Sequence, residues 1–119
     1  MKKMILSPSD VSKIMDISIN TAYRIVRELN KEMEEINEKR EKRGERPYVL
    51  FNKKIYAKYF SERYYGEKFL KIKEIEERFN LKEWEAKEIS FNIKKELIEN
   101  GFKFIKGRIP EKYLMEKMM

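Results

Sequence analysis

Residues 18–29 read Ser-Ile-Asn-Thr-Ala-Tyr-Arg-Ile-Val-Arg-Glu-Leu, and this stretch decides the fold predicted for the chain. Ser18 is a suitable N-cap, because its hydroxyl accepts a hydrogen bond from a free backbone N–H group. One stripe of apolar side chains recurs at helical spacing, namely Ala22, Ile25, Val26 and Leu29. The opposite face is polar or basic without an acid, namely Asn20, Thr21, Tyr23, Arg24 and Arg27. Such side chains bond phosphates or base edges. The stretch therefore predicts a DNA-reading helix or, alternatively, an ordinary amphipathic helix with a mixed surface.

A shorter helix is predicted directly before this stretch. Ser7 and Asp10 have the spacing of a capping box, and Pro8 fits the first helical turn. Its buried face is Val11, Ile14 and Met15. Residues 16–18 remain for a tight turn, with Ile17 placed between the two helices. Helix, three-residue turn and helix is the spacing of a helix-turn-helix motif.

The second helix is expected to continue well past residue 29. Met33 and Ile36 extend the apolar stripe, no proline occurs before Pro47, and Gly44 is the expected stop. Because apolar positions fade after Ile36, a solvated charged helix is favoured over a coiled coil.

A wing is predicted after this helix. Residues 47–51 are rich in β-formers and predict a strand, residues 52–54 a turn, and residues 56–65 a further helix. Lys53 and Lys54 at the tip would touch phosphate or enter a minor groove, or else they are plain solvated turn residues.

The second half of the chain repeats the pattern of the first. A shift of 64 residues aligns Leu6 with Leu70, Ala22 with Ala86 and Leu29 with Ile93, and a shift of 54 then aligns Tyr48 with Phe102 and Ile55 with Ile109. We therefore predict a mainly α fold with small β-hairpin wings, of class α+β. It would contain two tandem winged helix-turn-helix units, residues 1–66 and residues 67–119.

This pattern resembles the excisionase and MerR-related group of helix-turn-helix proteins, which is common among phage and mobile-element regulators. The likeness rests on residues 18–29 in the first half and on Gly107-Arg108-Ile109-Pro110-Glu111 in the second. It implies binding of double-stranded DNA, with the helix in the major groove and the wing beside it. The implied role is a transcriptional regulator or an excisionase-like accessory factor. A tandem pair departs from the usual single-domain excisionase.

Specific residues follow from these patterns. Base-reading residues are predicted to be Asn20, Thr21 and Arg24, and phosphate-binding residues Ser18, Tyr23, Arg27, Lys53 and Lys54. In the second unit, residues 82–91 hold two lysines against three glutamates, so this helix is not expected to read DNA. Trp84, with Glu83 and Glu88, is a candidate protein contact; alternatively, Trp84 packs against the linker.

The composition narrows the class of protein. Lys plus Arg number 28 and Asp plus Glu 21, which gives a net charge of +7 and suits a polyanionic partner. Histidine and cysteine are absent, so thiolate chemistry is excluded, and no catalytic motif can be named. We predict no enzyme, no metal and no cofactor.

The absence of an apolar run of about 20 residues and of a signal-peptide pattern predicts a cytoplasmic protein without a membrane segment. The alternative function is a protein-binding module that reuses the winged fold, such as a phage-encoded inhibitor of a host nucleic-acid enzyme. A protein partner or a second copy would then bind through the second unit or the long charged helix.

Overall fold

The computed structural model describes residues 3–118 of the chain. These residues form six α-helices and two pairs of short antiparallel strands, which confirms the mainly helical α+β class. In chain order the elements are β1 (Ile5–Leu6), α1 (Pro8–Met15), α2 (Ile19–Lys42), β2 (Ile55–Tyr56), α3 (Ala57–Tyr64), β3 (Phe69–Leu70), α4 (Ile72–Phe79), α5 (Glu83–Glu99), β4 (Ile109–Pro110) and α6 (Glu111–Met118).

The chain divides into two compact units, Met1–Phe60 and Ser61–Met119. The division falls inside α3, a little before the junction after residue 66 that the sequence suggests. Each unit contains one strand pair, and in each the first two complete helices pack against one another, α1 on α2 and α4 on α5.

The two units repeat one order of elements. A shift of 64 residues takes β1 to β3, α1 to α4 and the start of α2 to the start of α5, and a shift of 54 takes β2 to β4 and α3 to α6. Side-chain hydrogen bonds repeat as well. The Tyr59 hydroxyl donates to Glu32 Oε1 at 2.6 Å, and the equivalent Tyr113 hydroxyl donates to Glu96 Oε2 at 3.1 Å.

The helix pair of each unit is joined by a three-residue turn. Ser7 and Asp10 form the predicted capping box at the start of α1, with Ser7 Oγ accepting from the Asp10 N–H at 3.1 Å and Asp10 Oδ2 accepting from the Ser7 N–H at 2.9 Å. Asp16 ends α1 in the left-handed region at φ 53°, and the equivalent Asn80 ends α4 at φ 52°. Asp and Asn tolerate this backbone better than most residues, so the turn is encoded locally in both units.

Most side chains of the predicted apolar stripes are buried, whereas Ile14 and Ile36 are only half-buried. The core of the first unit includes Leu6, Val11, Met15, Ala22, Ile25, Val26, Leu29, Met33, Ile55 and Phe60. The core of the second includes Leu70, Ile75, Ala86, Ile93, Leu97, Ile109 and Leu114. The small Ala22 and Ala86 are fully buried, which allows the helices of each pair to approach closely.

The predicted strand over residues 47–51 is wrong. Within that stretch only Phe51 forms a bridge, to Lys54, and residues 47–50 have no strand partner. The return strand β2 pairs instead with β1, with Leu6 opposite Ile55. The second unit does the same, with a single Ile105–Arg108 bridge and β3 paired to β4. The hairpin of each expected wing is therefore reduced to one bridge around a two-residue turn.

Backbone groups of Arg46, Tyr48 and Val49 are bonded by side chains rather than by a strand partner. The Asn37 side-chain amide donates to Tyr48 O at 3.0 Å and accepts from the Tyr48 N–H at 2.8 Å. Arg40 Nε donates to Arg46 O at 2.9 Å. These bonds replace a strand ladder. They also hold the chain against the predicted long helix, whose 24 residues end just before Gly44 at φ 77°.

Candidate nucleic-acid interface

The outward surface of α2 carries a row of cationic and amide side chains on its first four turns. Helical spacing places four exposed residues on the side opposite the buried stripe, and we call them the α2 face: Asn20, Arg24, Arg27 and Lys31. The first acid of the helix is Glu28, which lies at the edge of this row. Lys31 was missed by the sequence reasoning, although the same spacing extended by one turn would have found it.

The start of α2 is organised by Ser18. Its hydroxyl accepts from the Thr21 N–H at 3.2 Å, and its oxygen lies 2.8 Å from the Thr21 hydroxyl. Both hydroxyls are therefore used in the cap. The free N–H groups of the first turn contribute a partial positive charge where an anion would approach.

Arg24 has one weak internal partner on the α2 face. Its Nε lies 3.9 Å from Glu28 Oε1, and both side chains are exposed. An exposed pair of this i,i+4 type is worth about 0.3–0.5 kcal/mol. A phosphate or a guanine edge can displace it at little cost.

A groove runs between α2 and the turn at residues 50–53. Its volume is about 650 Å³, and its cationic and aromatic lining includes Tyr23, Arg27, Lys31 and Lys53. The structure therefore brings together three of the predicted phosphate-binding residues, which lie on two separate segments. Lys54 is exposed directly after this turn but does not line the groove, and Glu34 adds one negative charge to the lining.

Asn30 attaches this turn to α2. Its side-chain amide donates to Lys54 O at 2.9 Å and to Phe51 O at 3.4 Å, which spans both ends of the bridge. Lys53 adopts φ 58°, and the equivalent position in the second unit is Gly107 at φ 78°. Asn30 and Asn37 were not predicted as functional residues. Their only sequence signal is an amide side chain within a helix that is otherwise dense in charge.

The matching surface of α5 has different chemistry. The positions equivalent to Asn20, Arg24, Arg27 and Lys31 are occupied by Trp84, Glu88, Phe91 and Lys95. Trp84 is 63% exposed and is thus not covered by the linker. Only one of the four positions keeps a positive charge, so this face does not suit a polyanion.

The acidic start of α5 is satisfied internally. Glu83 Oε1 lies 2.6 Å from Lys87 Nζ, and this hydrogen bond lowers the pKa of Glu83 and raises the pKa of Lys87. Glu85 Oε1 accepts from the Lys82 N–H at 3.0 Å, as a capping-box residue does. These acids therefore stabilise the helix N-terminus, and Glu88 remains exposed beside Trp84.

Residues 3–118 contain no cluster of three carboxylates positioned to hold a metal ion. In the same range, no helix combines the length and apolar character needed to cross a bilayer. Comparison of the chain with protein-family models, with curated proteins and with solved structures finds no match.

Proposed function

We propose that this protein binds double-stranded DNA in a sequence-specific manner, with the first turns of α2 in the major groove. The observation that carries this proposal is the α2 face, an exposed row of one amide and three cations on a capped helix that follows a three-residue turn. An α-helix is about 10–12 Å across with its side chains, and the major groove is about 12 Å wide.

The roles of the residues follow from their positions. Arg24 and Asn20 are the base-reading residues, since a guanidinium matches guanine and an amide matches adenine in the major groove. Phosphate is bound by the side chains that line the protein groove beside α2, namely Tyr23, Arg27 and Lys31. The hydroxyls of Ser18 and Thr21 are used in the helix cap, so we assign them a supporting role.

The turn carrying Lys53 provides a second contact with the DNA backbone. Asn30 holds this turn against α2, so Lys53 is presented from the same side as Arg27. A fixed lysine pays less ordering entropy on binding than a lysine on a loose loop. The positive charge of Lys54, directly after this turn, adds to the long-range electrostatic attraction between the protein and the DNA phosphates.

The second unit does not read DNA in this proposal. Its α5 presents Trp84, Glu88 and Phe91 where α2 presents Asn20, Arg24 and Arg27, so it would repel rather than read a phosphate backbone. DNA binding by a single unit suits a small transcriptional regulator or an excisionase-like accessory factor.

The test is binding-site selection from random DNA duplexes at two salt concentrations, followed by anisotropy titrations on the selected site. The double variant Arg24→Ala and Arg27→Ala should weaken binding to the selected duplex by about 100-fold and abolish discrimination against random duplex. The matched control is Lys39→Ala with Lys42→Ala, which removes the same charge from the exposed distal part of α2. Equal effects of the two double variants would mean that only net charge attracts the DNA, and the proposal would fail.

A further inference from the structure

The groove between α2 and the turn at residues 50–53, which we call the α2 groove, combines two kinds of lining. Its buried or half-buried apolar side chains form what we call the groove floor: Val26, Leu50 and Phe51. Its exposed lining includes the rim cations, which are Arg27, Lys31 and Lys53. Phosphate oxygens require only the rim cations. The groove floor adds an apolar contact, so the α2 groove suits a ligand that joins an anionic group to an apolar one.

The groove floor is held in place by contacts inside the first unit. The Phe51 ring lies edge-on to the Tyr56 ring, with 5.5 Å between the ring centroids. The Tyr56 hydroxyl donates to Val49 O at 2.6 Å, and the Asn30 amide donates to Phe51 O at 3.4 Å. The α2 groove is thus formed without a ligand, which lowers the ordering entropy that binding must overcome.

The rim cations have no carboxylate partner inside the protein. Within residues 3–118, none of the three forms an ion pair or a side-chain hydrogen bond with Asp or Glu. At the end of α2, by contrast, Arg40 Nη1 and Arg43 Nη2 lie 3.2 and 3.1 Å from Glu45 Oε2. The α2 groove is lined by three cations and one acid, Glu34, so it attracts an anion.

Lys53 occupies a backbone position that glycine adopts more easily. Its φ of 58° is in the left-handed region, and the equivalent residue of the second unit is Gly107 at φ 78°. A lysine carries backbone strain here that a glycine does not. The repeated turn of the second unit forms without a side chain at this position, so folding does not require one. The strain therefore points to a use of the Lys53 side chain in binding.

We propose that the α2 groove binds one nucleoside phosphate, with its phosphate on the rim cations and its base on the groove floor. The groove volume of about 650 Å³ is within the range of small-molecule sites, which is about 300–1,000 Å³. Tyr23 also lines the groove and is 42% exposed, and it offers an aromatic ring on which a base can stack. The Asn52 amide in the same lining offers a donor and an acceptor to the edge of the base.

This ligand chemistry has two sources. A DNA strand supplies it as an unpaired nucleotide beside the duplex, and in that case the inference rests on the proposed function. A free nucleotide supplies the same groups without DNA. A fully paired duplex offers the groove only phosphates and sugars, because its bases are stacked inside the duplex.

The first test uses the full chain without DNA, so its outcome does not depend on the proposed DNA binding. Amide NMR titrations would compare deoxyadenosine 5′-monophosphate, deoxyadenosine and inorganic phosphate. The monophosphate should bind with a dissociation constant of about 0.1–1 mM, and each of the other two about tenfold more weakly. The shifts should concentrate at residues 23–31 and 50–53. Equal affinity for the monophosphate and for inorganic phosphate would overturn the proposal, because the groove floor would then contribute nothing.

A matched pair of variants separates the α2 groove from the general positive charge of the chain. Lys53→Gly should weaken binding of the monophosphate about five- to tenfold. It should leave the urea midpoint unchanged or raise it, because the glycine relieves the strained backbone. Lys54→Ala removes the same charge directly after the turn and should leave this affinity within about twofold, since Lys54 does not line the groove. Equal weakening by the two variants would refute a nucleotide site in the groove.

The second test identifies the source of the nucleotide. Anisotropy titrations would use the selected duplex with one unpaired nucleotide placed in turn at each position of a strand. A gain of about tenfold at one position, lost in Lys53→Gly, would assign the site to a DNA strand. Binding of the monophosphate without a gain at any position would assign it to a free nucleotide.

The two tests also separate this proposal from DNA binding by α2. A chain that selects a duplex but does not bind the monophosphate would refute the nucleotide site alone. A chain that binds the monophosphate but selects no duplex would support the nucleotide site and refute DNA binding.

Discussion

Replacing Asn30 with leucine should loosen the turn that carries Lys53 without disturbing the core. Leucine has nearly the shape of asparagine but no donor, so Lys54 O loses a hydrogen bond of 2.9 Å and Phe51 O loses one of 3.4 Å. A neutral hydrogen bond contributes about 0.5–1.5 kcal/mol, and the longer one is at the geometric limit. The expected cost in the free energy of unfolding is therefore about 1 kcal/mol.

Asn30→Leu should also change the salt dependence of DNA binding. A mobile turn no longer presents Lys53 beside Arg27, so about one phosphate contact is lost. The slope of log K against log salt should then fall in magnitude by about 1, whereas discrimination among base sequences should not change. Anisotropy titrations at four salt concentrations on the selected duplex and on a random duplex would measure both quantities.

A matched variant separates the turn from general destabilisation. Asn37→Leu removes two hydrogen bonds to Tyr48, of 3.0 and 2.8 Å, from the same helix but away from the proposed interface. It should lower stability by a similar amount, about 1 kcal/mol, and leave the salt slope unchanged. Equal changes of the salt slope in Asn30→Leu and Asn37→Leu, or no change in either variant, would refute a phosphate contact by Lys53.

Two further predictions concern the stability of the α1–α2 pair. The Lys3 ammonium, followed by the Ser7 N–H, holds the pKa of Asp10 at about 2. A depressed carboxyl pKa stabilises the fold above the unfolded value of 3.8, and this stability is lost as the pH falls towards 2. By urea unfolding, Asp10→Asn should therefore lower the free energy of unfolding by about 1 kcal/mol at pH 6 and by nearly nothing at pH 2. The value at pH 6 is small because Lys3 is exposed and its ion pair with Asp10 is screened by solvent. A difference in stability that does not change with pH would contradict this prediction. Ala22→Leu should cost about 1–3 kcal/mol by overpacking, whereas Thr21→Leu on the half-buried flank should cost less.

The element order of this chain could be predicted from the sequence because its signals are local. A cap such as Ser7 with Asp10 and a left-handed stop such as Asp16 act within a few residues of the positions that they organise. The buried stripe of α2 is equally local, since one side of that helix is apolar and the other is polar. Three of the four residues of the α2 face followed from this contrast and Lys31 did not, whereas DNA binding by that face remains a prediction.

Only the tertiary structure decided which segments meet and how far the outer side chains of α5 are exposed. β2 pairs with β1 rather than with residues 47–51, and within that segment the backbone N–H and C=O of Tyr48 are bonded by the Asn37 side chain instead. No local pattern encodes such a choice among distant hydrogen-bonding partners. On α5, Ile93 and Phe91 are both apolar and lie on opposite sides, so the repeat with α2, rather than the periodicity of α5 itself, indicated which side is buried. Packing against α4 buried the side with the small Ala86, and it thereby left Trp84, Phe91 and Ile98 exposed.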